Sequence, residues 1–274
     1  MRLALIATLA MSLAGADAAA AGDCPVEAPC HVATGDYVLR LPANWDGRTP
    51  LPLLMFFHGF ADTPAGVLAN SDIGSLADSQ NLLLVLPAGL DRRWYVRPGA
   101  PAPRDDLAFA TAVLDDVMAR YPVDPRMVVA GGFSAGGFIT WNLACYRPGR
   151  FTGFLPVAGA FWEPVPEGPC PGGPVRLRHV HGRWDGTVPL AGRRVGAGAK
   201  QGDVRASLAA LIRTDHCATV PAQSEEHGQA CSTWRGCAAG GALAFCSHPG
   251  GHEVKARWLA EGLAWLRALD APRH

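Results

Sequence analysis

Charge is scarce in this 274-residue chain and neither sign prevails. Asp, Glu, Lys and Arg make up 18% of the residues, and 24 basic side chains balance 24 acidic ones. A domain that grips phosphates is basic, so this balance argues against a nucleic-acid partner. So little charge beside 49% apolar residues also excludes disorder over most of the length, because such a chain can bury a large core. No segment reaches the about 20 apolar residues that a membrane-spanning helix needs. No internal repeat and no long linker divides the sequence. Gly196 and Gly198 lie in a loose stretch, 191–202, without a preceding strand or GxGxxG spacing, so it reads as a surface loop rather than a phosphate cradle.

What is present begins with a leader. Met1-Arg2 supplies a short positive end, Leu3 to Leu13 an apolar stretch, and Ala16-Asp17-Ala18 or Ala18-Ala19-Ala20 a small-residue cleavage site. Residues 1–20 are therefore expected to be a secretory signal peptide, with residues 21–274 as a single catalytic domain, secreted or periplasmic after cleavage. The apolar stretch is too short for a membrane anchor, and Ala21-Gly22-Asp23 is a poor setting for lipid attachment at Cys24. In an exported chain, eight cysteines imply four disulfides. Cys231, Cys237, Cys246, His248 and His252 match no common zinc spacing, so no metal and no cofactor is expected.

Short apolar runs bounded by Pro, Gly and polar residues predict strands at Leu51–Phe57, Leu82–Leu86, Met127–Ala130, Phe154–Ala158 and Val175–His181, with an edge strand at Asp36–Leu41. Between them lie helical patterns. Asp105 and Asp106 can cap a helix that carries Leu107, Ala110, Leu114, Val117 and Tyr121 on one face and stops at Pro122. Gly202–Thr214 forms a second pattern, and Trp258 to Leu269 closes the chain. The alternation predicts an α/β fold with a mostly parallel central sheet flanked by helices.

The sharpest local signal is Gly132-Phe133-Ser134-Ala135-Gly136, entered from an apolar strand and followed by FITWNLACY. In a nucleophile elbow, small residues flank a serine on a tight strand-to-helix turn. Nine serines and 32 glycines in 274 residues give about 0.12 such patterns by chance, so the match is informative. A serine needs a base to take its proton and an acid to orient that base, and on this fold the order is Ser, acid, His. Asp185 follows the strand ending in Val180-His181 and is favoured over Glu163, Glu167 and Asp203. His252 follows Gly250-Gly251 beyond the last predicted strand, Ala242–Ser247, and is favoured over His248. An oxyanion hole needs two backbone N–H donors. Ala135, after the serine, and Phe60, in the loop after FFHG, are the candidates.

The blocks FFHGF, GGFSAGG, HGRWDGTVP and HPGGH resemble those of the polyhydroxybutyrate depolymerase-like and feruloyl esterase group of secreted α/β-hydrolases. The resemblance runs from about Gly35 to the last helix. It implies a serine carboxylesterase whose nucleophile, acid and base are Ser134, Asp185 and His252, with His58-Gly59-Phe60 as the oxyanion loop. Phe133 and Glu253 stand where many depolymerase relatives have Leu and Trp. Trp94, Trp162 and Trp184 fall in or after strand-end loops, where a hydrolase places its cleft. With His58 and Gly59 they are the candidate substrate contacts. Cys231 and Cys246 lie symmetrically about a turn at Ala238-Ala239, which a hairpin would bring opposite one another. Cys24–Cys30 and Cys145–Cys170 pair by proximity. Cys217–Cys237 remains, a pairing the resemblance also implies.

Two other classes share parts of this pattern: a serine peptidase with the same residue order, and a non-catalytic binding protein on a hydrolase fold. The first lacks a recognisable pocket for a peptide terminus, and the second predicts a broken triad. A chain of this length, with every segment used by the sheet, helices and catalytic loops, predicts soluble short-chain, aryl or oligomeric esters as substrates.

Overall fold

The computed structural model describes Cys24 and residues 27–271. The expected leader, 1–20, lies outside the described residues. Among them the main sheet has ten strands, in the order Cys30–Val32, Gly35–Arg40, Leu83–Pro87, Leu51–Phe57, Val123–Phe133, Gly153–Val157, Arg176–Gly182, Ala242–His248, Gln229–Trp234 and Ala222–Glu226. The six central strands are parallel. Two antiparallel strands flank them at each end.

The apolar runs become central strands because both sheet faces are covered. Along Leu51–Phe57, Leu53, Met55 and Phe57 join one core, while Leu54 and Phe56 join the other. That is the two-residue period of a strand. On the first face pack helices Asp106–Arg120, Ala135–Tyr146 and Val204–Thr214, through residues such as Val113, Leu143 and Leu208. Helix Ala256–Asp270 covers the second with Trp258, Leu259, Leu263 and Leu266. Full burial of one such side chain contributes about 1.5–3 kcal/mol. Ala135–Tyr146 is apolar all round and has ten buried residues, since the sheet and Asp106–Arg120 both pack on it.

Several boundaries differ from those the sequence suggests. Met127–Ala130 is only the buried middle of an eleven-residue strand. Gly35–Arg40 is not at the edge, because Cys30–Val32 pairs outside it. Asp105 caps its helix, accepting from Leu107 N and Ala108 N, but Asp106 is no cap. Its buried carboxylate binds Arg104 Nε at 2.6 Å and also accepts from Tyr95 N. The loop 191–202 folds into a small ribbon, Arg194–Val195 against Ala199–Lys200. Strand Ala222–Glu226 has no apolar signature and is exposed throughout. Its place is fixed by backbone pairing with Gln229–Trp234 and by Glu226, 3.6 Å from the buried Arg178 guanidinium.

The four disulfides are Cys24–Cys30, Cys145–Cys170, Cys217–Cys237 and Cys231–Cys246. Cys231 and Cys246 face one another in register across two antiparallel strands, as the symmetric spacing predicts.

Candidate active site

Strand Val123–Phe133 runs straight into helix Ala135–Tyr146, and Ser134 alone makes the turn, with φ 56° and ψ −117°. A non-glycine residue at positive φ is strained and needs surrounding support. Here the support is close backbone packing. A Cβ on Gly136 would stand 1.8 Å from Phe57 O, and one on Gly132 would stand 2.3 Å from Gly136 O. Only glycine fits at the positions two residues before and after the serine. Ser134 N donates to Val157 O at 3.0 Å, which fixes the turn to the neighbouring strand.

The carboxyl ends of two other strands bring partners to this serine. His252 Nε2 lies 2.9 Å from Ser134 Oγ, and its Nδ1 lies 2.7 Å from Asp185 Oδ2. The imidazole also packs against the Phe133 ring, tilted by 36° with centroids 4.7 Å apart. Its loop is tied to the Asp185 loop by Arg183 N donating to His248 O and Trp184 N to Gly250 O. Asp185 is buried, and its second oxygen accepts from Thr187 N and Val188 N at 2.9 and 2.7 Å. Burial alone would raise the pKa of this carboxyl. The hydrogen bond with His252 and the Val188 N–H outweigh it and hold the group below its ordinary value. Asp185 is therefore an anion that orients a proton donor, His252 Nδ1–H.

Beside Asp185 lies a pair of buried imidazoles that the sequence motifs do not single out as functional. His181 Nε2 is 2.7 Å from Val188 O and 3.5 Å from Asp185 Oδ2, and His179 Nε2 is 2.9 Å from His181 Nδ1. Burial depresses both pKa values. The signal was present: His181 opens the same HGRWDG block as Asp185. The alternative base, His248, is buried within its strand, where its Nδ1 accepts from Gly250 N and its ring lies on Trp258. It braces the loop that carries His252.

Ser134 opens on a cavity of about 480 Å³ that Phe60, Ala135, Trp94, Trp162 and Phe138 also line. The first-turn N–H of Ala135 has no intrahelical acceptor. Phe60 N–H likewise has no partner among the described residues, and both residues line the cavity. The remaining candidate contacts divide. Trp94 and Trp162 form cavity wall; Trp94 Nε1 is held by His58 O at 2.9 Å, and the Trp162 ring lies 4.7 Å from Phe138.

His58, Gly59 and Trp184 do not line the cavity, contrary to expectation. The His58 side chain is buried in the loop behind, accepting from Gly89 N at Nε2 and donating to Gly59 O from Nδ1. Burial lowers its pKa, consistent with that neutral form. Gly59 sits behind Ser134, where an added Cβ would be 3.8 Å from the serine Cβ. The Trp184 side chain is 77% exposed, and it is the backbone of this residue that braces the His252 loop. The stretch 191–202 lies largely at the surface, as expected, and its Val195, Gly196, Ala199 and Gln201 also line the cavity. The cysteines of the rejected zinc cluster are all disulfide-bonded and leave no thiolate donor there.

The sequence model of the Esterase family ("Putative esterase") matches residues 36–205, which include Ser134 and Asp185 but not His252. Feruloyl esterase D of Neurospora crassa is 28% identical over 168 residues, covering 57% of this chain and 54% of that protein. "Putative esterase NocK" of Nocardia uniformis subsp. tsuyamanensis is 32% identical over 155 residues, 55% of this chain and 44% of its own. The match thus spans about half the length of these curated relatives. An acetyl xylan esterase from Aspergillus awamori superimposes with a TM-score of 0.62, at 13% identity, over 85% of this chain and 93% of its own. The chain belongs to the Esterase family and has the α/β-hydrolase fold.

Proposed function

We propose that this protein is a secreted serine carboxylic ester hydrolase that works through an acyl-Ser134 intermediate. The observation that carries the reading is the unbroken chain Ser134 Oγ, His252, Asp185, with links of 2.9 and 2.7 Å, opening on a cavity that Phe60 and Ala135 line. His252 Nε2 takes the Ser134 proton as Oγ attacks the ester carbonyl carbon. The carbonyl oxygen becomes an oxyanion held by Phe60 N–H and Ala135 N–H. The helix that starts at Ala135 adds a favourable dipole. Loss of one such donor typically costs about 2.7–4 kcal/mol of transition-state stabilisation. His252 then passes its proton to the leaving alcohol oxygen. In the second half, His252 deprotonates a water that attacks the acyl carbon, and Ser134 is restored.

A cavity of about 480 Å³ takes a small acyl or aryl group. Trp94, Trp162 and Phe138 give it flat apolar walls, and relatives bearing the name feruloyl esterase make aryl esters the first substrates to try. Four disulfides suit an oxidising compartment, consistent with residues 1–20 as a leader and 21–274 as one catalytic domain. A substrate panel tests the proposal: short-chain nitrophenyl esters, methyl ferulate, hydroxybutyrate oligomers, polyester film, a long-chain triglyceride and matched amides. Soluble esters should be cleaved fastest, and only when Ser134 is present. Faster cleavage of film, triglyceride or amide than of every soluble ester would overturn it.

A further inference from the structure

The cavity beside Ser134 carries charge of one sign. Arg93 and Arg97, from the loop after strand Leu83–Pro87, and Arg193, from the 191–202 loop, all line it, and no Asp or Glu does. In a chain with equal numbers of acids and bases, nothing global accounts for this. Nor are these guanidinium groups consumed by the fold. Arg97 has no hydrogen-bond or ion-pair partner for its side chain among the described residues, and Arg93 meets only the Phe60 ring, at 5.4 Å. Arg193 uses Nε alone, on Thr187 O at 2.7 Å, and leaves its two terminal nitrogens open. The nearby acid Asp106 is already engaged by Arg104 and Tyr95 N–H.

Exposed arginines elsewhere, such as Arg48 and Arg205, also have no carboxylate partner among the described residues. What marks these three is their place on the wall beside Ser134. The arginines that the fold does use show the contrast. Arg104, Arg126, Arg147 and Arg176 each have a carboxylate within 3 Å. Three cations without anions, on the wall of a cavity whose remaining surface is largely aromatic and aliphatic, form a surface complementary to an apolar body with an anionic end.

We propose that the preferred substrates of this site are esters that also carry a carboxylate, such as monoesters of dicarboxylic acids, with Arg97 and Arg193 as specificity-determining residues that hold the charged end while Ser134 attacks the ester. The proposal rests on the esterase reading of the site and narrows its substrate class. A planar guanidinium fork pairs two N–H groups with the two oxygens of a carboxylate, so the preference is for carboxylate over a neutral polar group of equal size.

Two matched pairs of soluble esters test it. Benzyl hydrogen adipate is compared with its terminal primary amide, which places the charge on the acyl side. The acetate ester of 4-(hydroxymethyl)benzoate is compared with that of the benzamide, which places it on the alcohol side. At low ionic strength the acid of at least one pair should have a kcat/KM about tenfold above its amide, with the difference mainly in KM. Salt should erode the ratio. In the R97Q/R193Q double variant the same ratio should fall to about one, and R97K/R193K should retain part of it. The ratio is taken within each variant, so a partial loss of folded protein cancels. Ser134-dependent cleavage of the neutral members with an acid-to-amide ratio of one or less in both pairs overturns this inference and leaves the esterase reading standing. A ratio unchanged in R97Q/R193Q also overturns it. Absence of Ser134-dependent cleavage of any ester overturns the esterase reading itself.

Discussion

The two ends of strand Arg176–Gly182 each meet a buried aspartate, and the two carboxylates have opposite fates. At the carboxyl end, Asp185 is met by His252 Nδ1 and two backbone N–H groups, and its pKa is held below the ordinary value against the pull of burial. At the amino end, Asp215 receives only Val175 N, at 3.3 Å, and its other oxygen has no partner among the described residues. Burial pushes its pKa up to about 7, with the Val175 N–H opposing. Burial is common to both, so the difference is made by the donors. Where donors converge, a buried carboxylate stays charged and can orient an imidazole. Where they do not, the same residue type is an acid that prefers its proton.

The comparison is sharpest when its members are removed. The largest effect belongs to the residue at the far end of the Asp185 chain: Ser134→Ala should lower kcat on a soluble ester by a factor on the order of 10⁵–10⁶, with His252→Ala nearly as damaging because such residues act as one unit. The melting temperature of Ser134→Ala should stay near wild type, since the hydroxyl contributes little packing. Asp185→Asn comes next. It can still accept from Val188 N–H but no longer orients the imidazole, and kcat should fall by about 10⁴ with KM nearly unchanged. Wild-type turnover by Asp185→Asn would remove this residue from the mechanism.

Asp215→Asn should leave kcat unchanged and act on stability alone. The folded pKa is raised above the unfolded value, so the stabilisation by its proton is complete below about pH 4 and is lost as pH rises through about 7. Between pH 5 and pH 8 wild type should lose roughly 2–3 kcal/mol relative to Asp215→Asn, read from urea melts of both proteins at those two pH values. Asp185 has the opposite sign: its stabilisation is present above about pH 4 and is lost on acidification. A parallel pH dependence of the two proteins would contradict the assignment of Asp215.

The smaller effects lie outside the strand. Replacing Cys231 and Cys246 together by serine opens a loop of 15 residues and should cost about 3 kcal/mol, or roughly 6–12 °C in melting temperature. Catalysis below the transition should survive, because the bridge lies in the antiparallel flank. Trp184→Ala should be nearly silent, with kcat/KM within about twofold of wild type, as for a surface substitution worth ~0.5 kcal/mol. A large rise in KM would return Trp184 to the substrate cleft.

Much of this was legible in the sequence where local stereochemistry leaves few choices. The glycines around Ser134 announce a turn at which only a missing Cβ fits, and the central strands announce themselves as unbroken apolar runs. Asp185 and His252 were readable because each follows a strand in the order the fold requires. Features that depend on distant partners were not readable. Ala222–Glu226 is a polar, exposed strand held by Arg178 and a neighbouring strand rather than by apolar burial. Asp106 resembles a cap, but folding brings Arg104 and Tyr95 to its carboxylate. The surroundings of a side chain also escape the sequence: Trp184 stands next to Asp185 in the chain yet is exposed and does not line the cavity, while Gly196 and Gln201, in the largely exposed stretch 191–202, do.

The central claim is a covalent bond between the substrate acyl group and Ser134 Oγ, formed because His252 and Asp185 activate that oxygen. It is tested most directly by acid-quenching the enzyme during turnover of an acyl ester that deacylates slowly, then mapping the adduct by peptide mass spectrometry. The account predicts a mass increase equal to the acyl group on the peptide containing Ser134, reduced in Asp185→Asn and absent in Ser134→Ala. An enzyme that turns over ester while its Ser134 peptide stays unmodified, or that carries the acyl group on another residue, would contradict it.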